Sequence, residues 1–125
     1  MSRYRITTLS PLHIGGQEGE ISQFEFVVNN GRTYVLNSQR LAVELRKRNL
    51  LDSYVAQAMG ERFSHQRFFS ANKMLDPKVL SAVSNYDCLG SVSGRGLCVF
   101  VRDAFARPYI PGSSLKGSLR TAVAY

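Results

Sequence analysis

The chain of 125 residues carries sixteen Lys and Arg against nine Asp and Glu, a formal net charge of +7, with 44% hydrophobic content. That length can bury one modest core, the composition is ordinary for a globular domain, and the basic excess biases the chain toward polyanionic partners. No apolar run approaches the roughly 20 residues a membrane helix needs, and Met1-Ser2-Arg3-Tyr4-Arg5-Ile6 contains no signal peptide, so no membrane partner and a cytoplasmic location are expected. Cys88 and Cys98 lack a CxxC partner or a nearby His cluster, which argues against zinc and for reduced core thiols.

Residues 3–10 set Tyr4, Ile6 and Thr8 against Arg3, Arg5 and Thr7, the period-two pattern of a half-buried strand with a basic outer face. Pro11 terminates it, and Gly15, Gly16 and Gly19 read as a flexible loop. Residues 24–28 and 32–36 flank Asn30-Gly31, a favourable two-residue hairpin turn because both positions tolerate positive φ. A helix is predicted from about Ser38 to Met59, broken near Asn49, with Leu41, Leu45, Leu51, Val55 and Met59 as its apolar stripe and Gly60 as its stop.

Arg62-Phe63-Ser64-His65-Gln66-Arg67-Phe68-Phe69 interleaves cations with aromatic rings, the chemistry of single-strand binders. The preference of Phe for burial favours instead a helix whose rings face the core. Asp76-Pro77 reads as an N-cap and first-turn proline for a short helix through Val83. The glycines between Gly90 and Gly96 precede a strand rather than a helix, so they read as a turn and not a phosphate loop. Residues 97–101 are apolar on both faces, the pattern of a covered strand.

Pro108-Tyr109-Ile110-Pro111-Gly112-Ser113-Ser114-Leu115-Lys116-Gly117-Ser118-Leu119-Arg120-Thr121 reads as a glycine-bearing loop feeding a helix. Gly112 permits a tight turn, and Ser113 or Ser114 can cap a helix beginning near Leu115. The unpaired amides and the dipole of such a start favour a phosphate. Lys116 and Arg120 are four residues apart and share a face, while Gly117 lets a ligand approach closely. Gly112 and Gly117 are spaced as in a P-loop, but Lys116 precedes the second glycine instead of following it, which argues against nucleotide hydrolysis. Leu115, Leu119, Ala122 and Val123 make an apolar face with no Gly or Asn to close the helix before Tyr125. That face is expected to need elements outside this sequence, and 125 residues alone are expected to associate through it.

The segment just described, taken with Ser10-Pro11-Leu12-His13-Ile14-Gly15-Gly16, resembles the paired motifs of the RAMP superfamily of CRISPR-associated proteins. There "Pro-x-His-Ile-Gly" and "Ile-Pro-Gly-Ser-Ser-x-Lys-Gly" mark subunits of type III effector complexes. The long spacer and residues 24–37 are similar to the subunit that caps the backbone filament. The resemblance implies an α+β, ferredoxin-like (RRM-like) RAMP domain. Residues 1–125 would be its incomplete N-terminal part, with 38–90 as a mainly helical insertion. Residues 3–10 and 97–101 would then share one antiparallel sheet, with 115–125 packed on it through Leu119 and Val123.

In function, the resemblance implies a structural ribonucleoprotein subunit of antiviral defence that holds the 3′ part of a guide RNA, without cofactor or metal. Its partners would be the guide RNA, backbone RAMP subunits and small subunits. Gly15, Gly16, Gly112, Ser113, Ser114, Lys116 and Arg120 would bind RNA through backbone amides and charge, without reading bases. His13 would belong to a structural motif; as a general base it would need a partner and nucleophile that the sequence does not supply. Two alternatives stay open. One is a metal-dependent endoribonuclease of the same superfamily, with Asp76, Asp87 and Asp103 as available acids. The other is a protein-only assembly module whose basic face binds an acidic subunit.

Overall fold

The computed structural model describes the chain apart from Met1, Ser2, Tyr4, residues 93–95 and Tyr125, and apart from the side chains of Gln17 and Glu18. The fold is α+β with antiparallel sheets. In chain order the elements are β1 (Gly15–Ser22), β2 (Phe26–Asn29), β3 (Arg32–Leu36), α1 (Ser38–Lys47), α2 (Leu51–Ala58), α3 (His65–Ala71), α4 (Pro77–Val83), β4 (Ser84–Leu89), β5 (Gly96–Phe100) and α5 (Gly112–Ala124). They divide into two compact units, Glu20–Cys98 and Met1–Gly19 with Val99–Tyr125.

In Glu20–Cys98, β2 and β3 form the expected hairpin, with Phe26 opposite Val35 and Asn29 opposite Arg32. Asn30 and Gly31 take φ of 48° and 72°, the double left-handed geometry that lets a two-residue turn follow the twist of its strands. The unforeseen strand β4 pairs antiparallel with β3, Thr33 opposite Cys88 and Tyr34 opposite Asp87. This makes β3 the middle strand, and Thr33, Tyr34 and Val35 are buried in succession, so both its faces are covered.

The helix break near Asn49 has a definite cause. Asn49 is left-handed at φ 56°, its N–H donates to the Arg46 carbonyl, and the Leu50 N–H reaches back to the Leu45 carbonyl at 2.8 Å. This paired closure ends α1, and Leu50 packs on the core cluster that includes buried Leu45. The break also resets the helical phase, so Val55 and Met59 are exposed while Leu51 and Tyr54 pack on the core, a correction to the continuous stripe. Lys73, at φ 54°, ends α3 in the same way, with the Met74 N–H donating to the Phe69 carbonyl at 2.8 Å. Asp76 caps α4 by accepting from the Lys78 amide at 2.8 Å, with Pro77 in the first turn as expected. Phe69, Leu45, Met74, Leu80, Val27 and Val83 fill the centre of this unit.

His65 is 5% exposed among the rings of Phe63, Phe69 and Tyr54. Its Nε2 shares a 2.7 Å hydrogen bond with the Tyr54 hydroxyl. Burial lowers the His65 pKa from 6.5 to about 4 and pushes the Tyr54 phenol up, so both groups are held neutral. Because the unfolded chain takes up a proton on His65 that the folded chain refuses, stability is lost as pH falls below 6.5 and levels off near 4. Thermal melts are expected to shift downward as pH is lowered from 7 toward 5. A His65→Gln variant should start from a lower melting temperature and lose that part of the slope.

The other unit corrects three expectations. Arg3 and residues 5–10 are exposed and form no strand. Alternation marks a strand only where a sheet exists to receive its apolar side, and here the pairing belongs to β1, which joins β5. Gly15 and Gly16 therefore lie in a strand rather than a loop. β5 is less covered than its apolar sequence suggests, with Val99 buried but Cys98 exposed; Cys98 and the half-buried Cys88, both in Glu20–Cys98, are not core thiols. Val99 is the one buried residue among those described in this unit.

Candidate nucleic-acid interface

Helix α5 begins three residues earlier than expected. The Leu115 N–H donates to the Pro111 carbonyl at 3.2 Å, so Gly112, Ser113 and Ser114 form the first turn and the serines are not caps. By helix geometry the first amides have no intrahelical acceptor and point along the axis toward the N-terminal end. Gly112 does not adopt positive φ, and a Cβ there would meet nothing within 4 Å; the same space is open at Gly117. The turn therefore does not require glycine at 112, and the bare backbone is available to a ligand.

Lys116 and Arg120 are exposed one turn apart, and among the described residues neither has an ion-pair partner. They flank the strip Leu115, Leu119 and Val123, with Gly112 in line at its start. Along that strip Leu115 is half-buried, but Leu119 is 59% exposed, Val123 is 87% exposed, and no described residue of α5 is buried. Leu119 and Val123 thus do not make the expected buried contact with the described residues, and the helix presents a basic and apolar surface together.

Gly15 is exposed on β1, and Gly16 faces the backbone of Val99 and Phe100, where an added Cβ would lie at an ordinary 3.6 Å. Both belong to the same unit as α5, yet among the described residues no hydrogen bond or ion pair joins them to it. His13 sets its ring edge-on to Phe100, with centroids 5.9 Å apart. This unit holds six Lys and Arg against two acidic residues.

The rings of Phe68 and Phe69 are buried while Arg62 and Arg67 are exposed, so the interleaved segment at 62–69 serves the core of the other unit. The three acids have structural partners. Asp76 caps α4, Asp87 pairs with Arg32 at 2.7 Å, and Asp103 pairs with Arg107 at 2.8 Å. The Arg107 amide and side chain and the Phe105 amide hold the Asp103 carboxyl below its usual range. Among the described residues no group of three or more His, Cys, Asp and Glu is placed to hold a metal ion. Sequence reasoning assigned nothing to Phe105 and Arg107, and the signal it passed over is Asp103 placed four residues before Arg107.

A two-motif chain with an α+β fold and a basic helix start defines a class. The sequence model of the RAMP superfamily matches residues 5–124, and the chain belongs to that superfamily. The particular resemblance is to Csm5. The chain is 28% identical over 130 residues to the CRISPR system protein Csm5 of Streptococcus thermophilus, across 93% of this chain and 36% of that protein. It also matches the crystal structure of T. onnurineus Csm5 with a TM-score of 0.65 and 30% identity, over 92% of this chain and 32% of that one. The chain thus spans about a third of the length of these relatives.

Proposed function

We propose that this chain is the N-terminal part of a ferredoxin-like RAMP domain, with residues 38–90 as a mainly helical insertion, and that it serves a structural, guide-RNA-binding subunit of a type III CRISPR ribonucleoprotein. In this reading the subunit caps the backbone filament in the cytoplasm and meets backbone RAMP and small subunits there. The observation that carries it is the start of α5, where open amides meet Lys116 and Arg120, which have no ion-pair partner among the described residues, in a unit with a strong basic excess. Phosphates meet donors, dipole and charge at that point, and none of these reads a base. Gly15, Gly16, Ser113 and Ser114 would add backbone contacts along the same strand.

The exposed Leu119 and Val123, in line with half-buried Leu115, favour a second role in the same helix, contact with protein elements of the complex. Photocrosslinking of unrelated single-stranded RNAs to the full-length protein separates the two. Crosslinks within residues 112–120 are expected. A full-length protein that binds no RNA, or crosslinks only elsewhere, would leave α5 a protein-contact helix.

A further inference from the structure

After β5 the chain turns back on itself in a second, short hairpin. Arg102 and Pro108 face each other across an antiparallel bridge. The Asp103 N–H donates to the Arg107 carbonyl and the Ala106 N–H to the Asp103 carbonyl, each at 2.9 Å. Ala104, Phe105 and Ala106 thus form a three-residue loop whose last position is left-handed, at φ 60°. Glycine is the usual occupant of that position, and a β-carbon there costs about 1 kcal/mol. The loop is held by other bonds. Asp103 Oδ1 accepts from the Phe105 and Arg107 amides at 2.9 Å, Oδ2 accepts from Arg107 Nε at 2.8 Å, and Arg102 Nη1 donates to the Ala106 carbonyl at 2.7 Å.

This hydrogen-bonded tip displays an aromatic ring. Phe105 is 79% exposed, its neighbours are alanines too short to cover it, and the Arg107 guanidinium lies 5.1 Å from the ring centroid. One face is braced by a cation and the other is open. The hairpin belongs to the same basic unit as α5 and leads directly into it through Tyr109 to Pro111.

We propose that the hairpin is a stacking finger for single-stranded RNA, in which Phe105 presents its open face to a nucleobase while Arg107 braces the ring from behind. Base-aromatic stacking is indifferent to base identity, which suits a strand of arbitrary sequence. A preformed tip also loses little freedom on binding. A protein pocket that swallowed the ring would have to desolvate Arg102 and the Asp103–Arg107 pair on its flanks, whereas a base stacked on one face leaves those charges in water. The inference rests on the RNA-binding reading above.

The test uses full-length protein with Phe105→Ala and Phe105→Tyr, and measures affinity for unrelated single-stranded RNAs as salt is varied. Phe105→Ala should weaken binding at least about fivefold for every strand. Its slope of log affinity against log salt should match wild type, because no phosphate contact is lost. Phe105→Tyr should restore affinity, and all three proteins should melt alike because the ring is exposed. Wild-type affinity in Phe105→Ala, a changed salt slope, or failure of Tyr to rescue would each overturn the finger. So would unchanged RNA binding with lost association to another subunit, which would make the tip a protein contact. If Phe105→Ala binds normally while loss of Lys116 and Arg120 weakens binding, the finger fails and the RNA reading stands. If wild type binds no RNA, both fall.

Discussion

Replacing Phe69 with alanine is expected to destabilise Glu20–Cys98 by about 3–5 kcal/mol, the usual cost of deleting a fully buried aromatic ring. The ring is 0% exposed and packs against Phe68 and, edge-on, against His65 at a centroid distance of 5.8 Å. Leu45, Met74, Leu80 and Val27 share its cluster but come from separate parts of the chain. They are tied by caps and strand pairing, so they cannot collapse into the space left behind. Since domains are stable by only about 5–15 kcal/mol, much of the folded population would be lost at body temperature. Chemical denaturation should show a lower midpoint with Phe69→Leu in between. A loss below about 1 kcal/mol would mean that the ring is not at the centre of the core.

The second large effect is on binding. Full-length protein carrying Lys116→Ala and Arg120→Ala together should bind unrelated single-stranded RNAs more weakly, and by a similar factor for each. The two cations are exposed and have no ion-pair partner among the described residues, so they are placed to neutralise phosphates, and phosphate contacts carry no sequence information. Each phosphate neutralised on a single strand contributes about 0.7 to the salt slope, so losing both should flatten it by about one unit. Because neither residue is buried, the variant should keep the wild-type melting temperature. Gly112→Val, which fills open space at the helix start, should weaken binding by obstruction and leave the slope nearly unchanged. If the double variant retained both affinity and slope, this helix start would not be where the protein holds RNA.

What is legible in the sequence is what local backbone chemistry decides. Asn30-Gly31, the Asn49 break and the Asp76-Pro77 start each depend on the φ preference or side-chain oxygen of the residue itself, and each occurs where expected. The strand β4 is invisible because Ser84-Asn85-Tyr86-Asp87-Cys88-Leu89 acquires its extended form from pairing with β3, including the Arg32–Asp87 bond across the ladder. The first strand is misplaced for the complementary reason. Residues 3–10 have the right alternation, but Arg3 and residues 5–10 find no strand partner among the described residues, whereas Gly15 and Gly16 have poor strand propensity and a partner in β5. At the candidate site, the shared face of Lys116 and Arg120 follows from helical period alone. The Phe105 tip does not, because Asp103 bonds amides two and four residues ahead only once the loop has closed.

The concentration of burial in Glu20–Cys98, against Val99 alone among the described residues of the unit that bears the motifs, has a consequence for how such a protein changes over generations. Substitutions in α3 or β3 act on abundance, since cells clear chains whose folded fraction drops. Substitutions on α5 or at the Phe105 tip touch no described core, so selection can revise this surface without first compensating a folding defect. The chemistry of that surface and the stability of the fold are then separable traits, free to drift at different rates within one short chain.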